Sequence, residues 1–319
     1  MSLWFRISVL QRVPSVVKKP SLAVPVGVIG LGIMGSAMAG NLMRAGFRVV
    51  GYDVLARRRQ DHRRAGGTIA ASPSSVGQQA DIIVCSLPSS DALLQVSAEI
   101  AASPRRRRIV VETSTLPISV KEEARRRLAA CQTVLLDCPL SGTGAQAKTR
   151  DLVVYASGDR TAYRGVVPVL DAVSRAHYFI GAFGTGSKMK FVANLLVAVH
   201  NVAAAEAIVL AMKAGLDPAM VVKVIGDGAG SSRMFQVRAP MMAKGDYSEA
   251  TMKLDVWQKD MNVIADFARE VGCPTPLFAA SAPIYTAANA IASPHDDTAA
   301  VCVVLERMAN HRRKRQGRS

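Results

Sequence analysis

The sequence predicts an α/β N-terminal half built on a doubly wound, largely parallel sheet, joined to an all-α C-terminal half. Three observations predict it. Short β-branched runs alternate with helical stretches from Val26 to Ile180, a Gly-x-Gly-x-x-Gly turn links the first run to the first helix, and no strand pattern survives beyond Gly186. A chain of 319 residues holds two domains of ordinary size, each able to bury a core. The expected division is 1–23 for a disordered extension, 24–185 for the sheet-bearing domain, 186–310 for the helical domain and 311–319 for a basic tail.

Residues 1–22 carry Arg6, Arg12, Lys18 and Lys19 and no acid. That composition suits either a mitochondrial transit segment or a plain disordered extension; without a secretory apolar region, the expected location is cytoplasmic. The pattern sharpens at Val24. Val26 to Ile29 reads as a strand, Gly30-Leu31-Gly32-Ile33-Met34-Gly35 as a tight turn, the stretch to Arg44 as a helix capped by Gly46, and Arg48 to Tyr52 as a second strand ending on Asp53. Strand, glycine turn, helix, strand and acid in this order are the parts of a dinucleotide-binding unit of Rossmann type. Gly30 permits the turn, Gly32 lets the backbone approach a pyrophosphate, Gly35 lets helix and strand pack closely, and the free N–H groups of the helix face the phosphates. Asp53 would accept hydrogen bonds from the ribose hydroxyls of NAD and repel a 2′-phosphate. Arg57, Arg58 and Arg59 follow closely enough to keep NADP open.

The next expected elements are a strand at Thr68–Ala70, a helix from Ser72 to Ala80, and a strand at Asp81–Cys85 closing on Ser86-Leu87-Pro88. A helix from Ser90, a strand at Ile109–Glu112, a polar turn through Thr115 and a helix from Ser119 to Ala130 follow. Val134–Asp137 makes a strand, 138–150 a Gly/Ser-rich loop, and Val153–Ser157 and Ala176–Ile180 complete the strands. Ligands of such sheets lie outside the carboxyl ends of the strands, and Leu87, Pro88, Thr115, Ser141 and Gly142 all fall at that edge.

Helices are then expected at 188–214, 218–226, 232–243, 251–271, 276–292 and 297–309. The first is apolar from Phe191 to Met212 apart from Asn194, His200, Asn201 and Glu206, so it reads as a core helix buried nearly all round rather than as a membrane span. Lys190 and Asn194 are an i, i+4 pair on one face, whereas Lys188 points roughly 200° away and reads as solvated.

Composition narrows the function classes. The net charge of +16 comes in bursts, at Arg57–Arg59, Arg63–Arg64, Arg105–Arg108, Arg125–Arg127 and His311–Arg315, with no interleaved aromatic residues on which bases would stack. These read as solvated loops and polar helix faces, and no nucleic-acid or membrane partner is expected. The mean hydropathy of +0.19 suits a folded soluble protein rich in Ala and Val. Cys85, Cys131, Cys138, Cys273 and Cys302 form no CxxC, and the five histidines show no metal spacing, so reduced thiols and no metal site are expected. Cys138, three residues before Ser141, reads as a small buried hydrophobe.

Four stretches in order resemble the motifs of the β-hydroxyacid dehydrogenase family: GVIGLGIMGSAMAGNLMRAG its cofactor signature, DCPLSGTGAQA its substrate loop, GTGSKMKFVAN its catalytic segment and KLDVWQKDMNVI its closing Lys-Asp motif. The resemblance runs from about Val26 to Met308 and implies Lys190 as the catalytic lysine and Asn194 as an asparagine that helps hold substrate. It implies Ser141, Gly142 and Thr143 as substrate loop, Thr115 near the nicotinamide, Lys259 as the motif lysine serving substrate or cofactor, and a homodimer or homotetramer formed through the helical domain. Ala193 replaces the family's first asparagine, and Thr143 replaces a loop glycine, which narrows the pocket or adds a hydroxyl. The expected activity is NAD(P)-dependent interconversion of a small β-hydroxyacid and its semialdehyde or keto acid. Lys190 is the acid/base, its pKa lowered by burial from about 10.4 toward neutrality. Lys259 and, more weakly, Arg233 and Arg238 are candidate partners of the substrate carboxylate. An imine reductase on the same fold and a non-catalytic cofactor-binding regulator are the rival readings.

Overall fold

The computed structural model describes residues 25–103 and 107–313. The N-terminal extension with its candidate transit segment, Arg105, Arg106 and the end of the basic tail lie outside the described residues. Along the chain run β1 (Val26–Ile29), α1 (Ile33–Arg44), β2 (Val49–Tyr52), α2 (Ala56–Arg64), β3 (Thr68–Ile69), α3 (Pro73–Gln79) and β4 (Ile82–Cys85). These are followed by α4 (Ser90–Ala101), β5 (Ile109–Glu112), α5 (Ile118–Ala129) and β6 (Val134–Asp137). The six strands form one parallel sheet in the order β3-β2-β1-β4-β5-β6. The order reverses beside β1, so the glycine turn opens into the crevice between diverging connections.

Pleating sends alternate residues of these short strands to two cores. Val26 and Val28 of β1 pack with Met38 and Leu42 of α1, while Ile29 joins Val76 of α3 and Leu93 of α4 on the other face. Gly27 makes room for that second face, because a Cβ there would stand 2.5 Å from Val76 Cγ1.

The strands after β6 depart from the expected single sheet. Residues 138–150, expected as a loop, hold the two-residue strand β7 (Leu140–Ser141) and the helix α6 (Gly144–Lys148). Thr143 and Gln146 cap α6 reciprocally, a Thr-x-x-Gln capping box readable in the sequence. β8 (Val153–Ala156) pairs antiparallel with β7 and, after α7 (Arg160–Val173), parallel with β9 (Ala176–Phe179), making a separate three-stranded sheet. An antiparallel bridge between Asp137 and Ser157 turns the chain back against the end of β6.

The remainder is helical: α8 (Thr185–Lys213), α9 (Pro218–Gly226), α10 (Arg233–Lys244), α11 (Leu254–Glu270), α12 (Pro276–Ile291), a 3-10 turn at Thr298–Ala300 and α13 (Val301–Met308). α8 is long and apolar enough to cross a membrane by length and composition, yet it packs against α9, α10, α11, α12 and α13. It is not buried all round, as its composition predicts. Met189, Val192, Leu196 and Leu210 are 45%, 54%, 49% and 71% exposed, because the five helices cover one side of α8 and leave an apolar stripe on the other. Lys188 is exposed and Lys190 buried, as the helical angle requires.

Two arginines expected in solvent are held by the fold. Arg108 is buried, with its guanidinium donating to Thr133 Oγ1 (3.2 Å) and the Gly77 carbonyl (3.3 Å), in space that a Cβ at Gly77 would fill. Arg313, in the basic tail whose charges read as solvated, donates through Nε to Glu306 (2.8 Å) and through Nη1 to the Ala243 carbonyl (2.9 Å).

One fully buried charge cluster joins the two halves. Lys121 Nζ lies 2.6 Å from Glu112 Oε2 and 2.8 Å from Asp137 Oδ1, and donates to the Ser114 carbonyl at 2.7 Å. Asp137 in turn accepts from the Ser187 amide and hydroxyl, both at 2.8 Å, on the first turn of α8. Gly186 is needed there because a Cβ would stand 2.4 Å from the Tyr155 carbonyl. Replacing Lys121 by Met strands two buried carboxylates and is expected to cost about 3–5 kcal/mol. Chemical denaturation checks this, and an unchanged midpoint would contradict it.

Candidate active site

The glycine turn builds the floor of a cleft. Gly30 has φ +88°, and a Cβ there would lie 2.1 Å from the Ser86 carbonyl; one on Gly35 would lie 1.7 Å from the Gly30 carbonyl. Gly32 starts α1 with no side-chain cap, and the nearest atom to a Cβ there is Arg58 Nη1 at 3.7 Å. The first N–H groups of α1 and the open space over Gly32 thus form a cradle suited to a dinucleotide's phosphates. The cleft measures about 480 Å³, and Gly30, Gly32, Ile33, Met34, Leu87 and Pro88 line its sheet side. Leu31 points its side chain into the core and Gly35 packs behind the turn, so these two shape the site from outside it.

Asp53 is buried and committed to the turn. Its Oδ2 accepts from the Leu31 amide at 2.8 Å and lies 3.3 Å from Arg58 Nη1, while Oδ1 accepts from the Leu55 amide at 2.9 Å. Arg59 donates to the Asp53 carbonyl at 2.6 Å, and its guanidinium lies over the Tyr52 ring. Arg58 is therefore the arginine of the burst that lines the cleft.

Gly142 and Thr143 line the same cleft, with Ser141 just before them at the end of β7. Gly142 has φ +135°, and a Cβ there would lie 2.6 Å from Leu152 Cδ2. The Thr143 hydroxyl, expected as an addition to the pocket, accepts from the Gln146 amide at 3.4 Å as the cap of α6.

A second group of polar side chains gathers where α8 meets α11. Asn194 Nδ2 donates to Asp260 Oδ2 at 3.0 Å, Lys259 Nζ lies 3.4 Å from Asp260 Oδ1, and Lys259 also donates to the Thr115 carbonyl at 2.7 Å. Lys190 is 8% exposed. Its pKa is pulled down to about 8, mainly by loss of solvation and also by the positive charge of Lys259, against the opposing pull of Asp260. Burial raises the Asp260 carboxyl, against the pull of Lys259 and Lys190.

Asp260 was not singled out from the sequence. The signal was available: it falls among Trp257, Met261 and Ile264, which are all buried, so the acid sits on the apolar face of α11 beside the motif lysine. The segment 250–253 ahead of α11, which also lines the cleft, left no comparable mark in the sequence. Cys138 is fully buried, and burial pushes its thiol pKa far up, leaving an inert packing residue. Arg233 is exposed, 4.0 Å from Asp151, and Arg238 is buried against Asp297 at 3.1 Å, so neither joins this group.

Comparison with known proteins bears on most of the chain. Residues 25–181 match the family described as the NAD binding domain of 6-phosphogluconate dehydrogenase, and residues 184–305 that described as NAD-binding of NADP-dependent 3-hydroxyisobutyrate dehydrogenase. L-threonate dehydrogenase of Cupriavidus necator is 36% identical over 284 residues, covering 88% of this chain and 95% of the relative. A solved 3-hydroxyisobutyrate dehydrogenase from Salmonella typhimurium superposes with a TM-score of 0.80 at 31% identity, covering 88% of this chain and 99% of that one. An imine reductase of Streptomyces aurantiacus, at 20% identity and a TM-score of 0.59 over 88% of this chain and 99% of that one, shares the fold alone. The cradle at Gly32, the paired halves and these relatives together identify the chain as an NAD(P)-dependent oxidoreductase of the β-hydroxyacid dehydrogenase family.

Proposed function

We propose that this enzyme interconverts a small β-hydroxyacid and its semialdehyde or keto acid, with Lys190 as the general acid/base. The observation that carries the reading is a buried lysine with a pKa near 8, on the same helix turn as Asn194 and beside Asp260 and Lys259. The bound nicotinamide supplies the hydride acceptor in oxidation and the donor in reduction. In oxidation the neutral Lys190 amine takes the proton of the substrate hydroxyl, and in reduction its ammonium returns that proton. A pKa close to the working pH keeps both forms populated, which an exposed lysine at about 10.4 does not.

Asn194, oriented by its hydrogen bond to Asp260, holds the reacting oxygen, and Asp260 balances two lysines at once. Ser141 and the amides of Gly142 and Thr143 hold the substrate carboxylate. Lys259 links α11 to the Thr115 carbonyl and so sets the nicotinamide end of the cleft as well as adding positive charge. Threonate and 3-hydroxyisobutyrate, named in relatives, are the first substrates to try, with NAD favoured by Asp53 and NADP open through Arg58. The same reading makes the enzyme a cytoplasmic homodimer or homotetramer, with the stripe through Met189, Val192 and Leu196 on α8 as the contact between copies. The alternative of imine reduction has less use for a lysine at position 190.

Turnover should appear with at least one β-hydroxyacid, and Lys190→Ala should lower kcat by about 10²-fold or more while the reduced cofactor still binds. Failure of every acid with intact cofactor binding would sink the hydroxyacid reading. The rate of oxidation should rise with pH through about 8 and the rate of reduction fall across the same range, because the amine is needed in one direction and the ammonium in the other. Asp260→Asn removes the charge that holds the Lys190 pKa up, so this inflection should move to lower pH; an unmoved inflection would count against the assigned pairing. Val192→Glu with Leu196→Glu should lower the mass found by light scattering, whereas an unchanged mass would place the subunit contact elsewhere.

A further inference from the structure

The lip that the helical half contributes to the dinucleotide cleft is clamped by a buried carboxylate. Asp297 Oδ2 accepts from the Thr251 amide and hydroxyl, both at 2.7 Å, and from the Met252 amide at 3.1 Å. Its Oδ1 accepts from Arg238 Nε at 3.1 Å and from the Ala299 amide at 2.9 Å. Lys253 itself forms an antiparallel backbone bridge with Asp297 and then begins α11. The backbone that carries Lys253 is therefore fixed at the rim, and Lys253 lines the cleft.

The other charges on this cleft already have partners. Asp53 faces Arg58 at 3.3 Å. Glu99 accepts from Gln95 at 3.1 Å, and Asp255 accepts from the Val256 amide at 2.7 Å with His295 at 3.8 Å. Lys253 is half-buried and has no ion pair among the described residues. A partly desolvated ammonium without a protein anion, lining the same cleft as the glycine turn, calls for an anion on the ligand.

We infer that Lys253 is a cofactor contact, placing its ammonium on a phosphate of the dinucleotide. Bound cofactor then bridges the glycine turn of the sheet half and the clamped lip of the helical half. The inference rests on the cleft being the NAD(P) site, and the phosphate is either the diphosphate common to both cofactors or the 2′-phosphate of NADP.

Fluorescence titration of NADH and NADPH against wild type, Lys253→Met and Lys253→Arg reads the contact without requiring a substrate. Lys253→Met should weaken at least one cofactor about tenfold and flatten the salt dependence of its Kd, while Lys253→Arg should stay within about threefold of wild type. Equal losses for the two cofactors assign the diphosphate, and a loss confined to NADPH assigns the 2′-phosphate. Kd values within about twofold of wild type for both cofactors, in a variant that melts like wild type, would overturn the inference. A wild type that binds neither cofactor would overturn the cleft assignment, and this inference with it.

Discussion

The carboxylate of Asp137 holds the structure's two halves in register. It ends β6, accepts two hydrogen bonds from Ser187 on the first turn of α8, and shares the single charge of Lys121 with Glu112 at the end of β5. Lys190 lies one helical turn beyond Ser187, and the loop with Ser141 and Gly142 begins a few residues after Asp137. One buried anion therefore sets the distance between the start of α8 and the loop that carries Ser141 and Gly142. Its energetic cost in desolvation is offset by contacts from both sides.

Two buried lysines show how local charge decides what burial does. Lys121 touches two carboxylates, and their attraction overcomes desolvation and raises its pKa. Lys190 has one carboxylate nearby, shared with Lys259, so desolvation prevails and its pKa falls to about 8. The same side chain in the same depth of protein thus becomes a permanent structural cation in one place and an amine that titrates near neutral pH in the other. Asp260 is central to the second outcome, because its charge is divided among Lys259, Lys190 and Asn194.

The cofactor cleft follows a similar division of labour. Asp53, readable from sequence as a ribose ligand, also braces the glycine turn through the Leu31 amide and anchors Arg58. On the opposite rim, Asp297 and Arg238 use a buried pair to fix the 251–253 backbone. Each rim of the cleft is thus positioned by a carboxylate that accepts from two or more backbone amides.

Local pattern by itself determined the β1–α1–β2 unit with its glycines, the alternation of strands and helices, the all-α second half, and the pairing of Lys190 with Asn194. Each of these depends on period, turn chemistry or spacing within some 30 residues, which are properties of neighbouring positions. Motif resemblance added Ser141, Thr115 and Lys259 as expected site members. Tertiary structure alone decided that β7, β8 and β9 leave the main sheet, that α8 keeps an exposed apolar stripe, that Arg108 is buried, that Asp260 meets Asn194 and that Lys253 lines the cleft. These outcomes depend on which surfaces meet across long separations, such as Asn194 with Asp260 or Thr251 with Asp297. Burial and charge pairing are properties of that meeting, so no single stretch of the chain carries them.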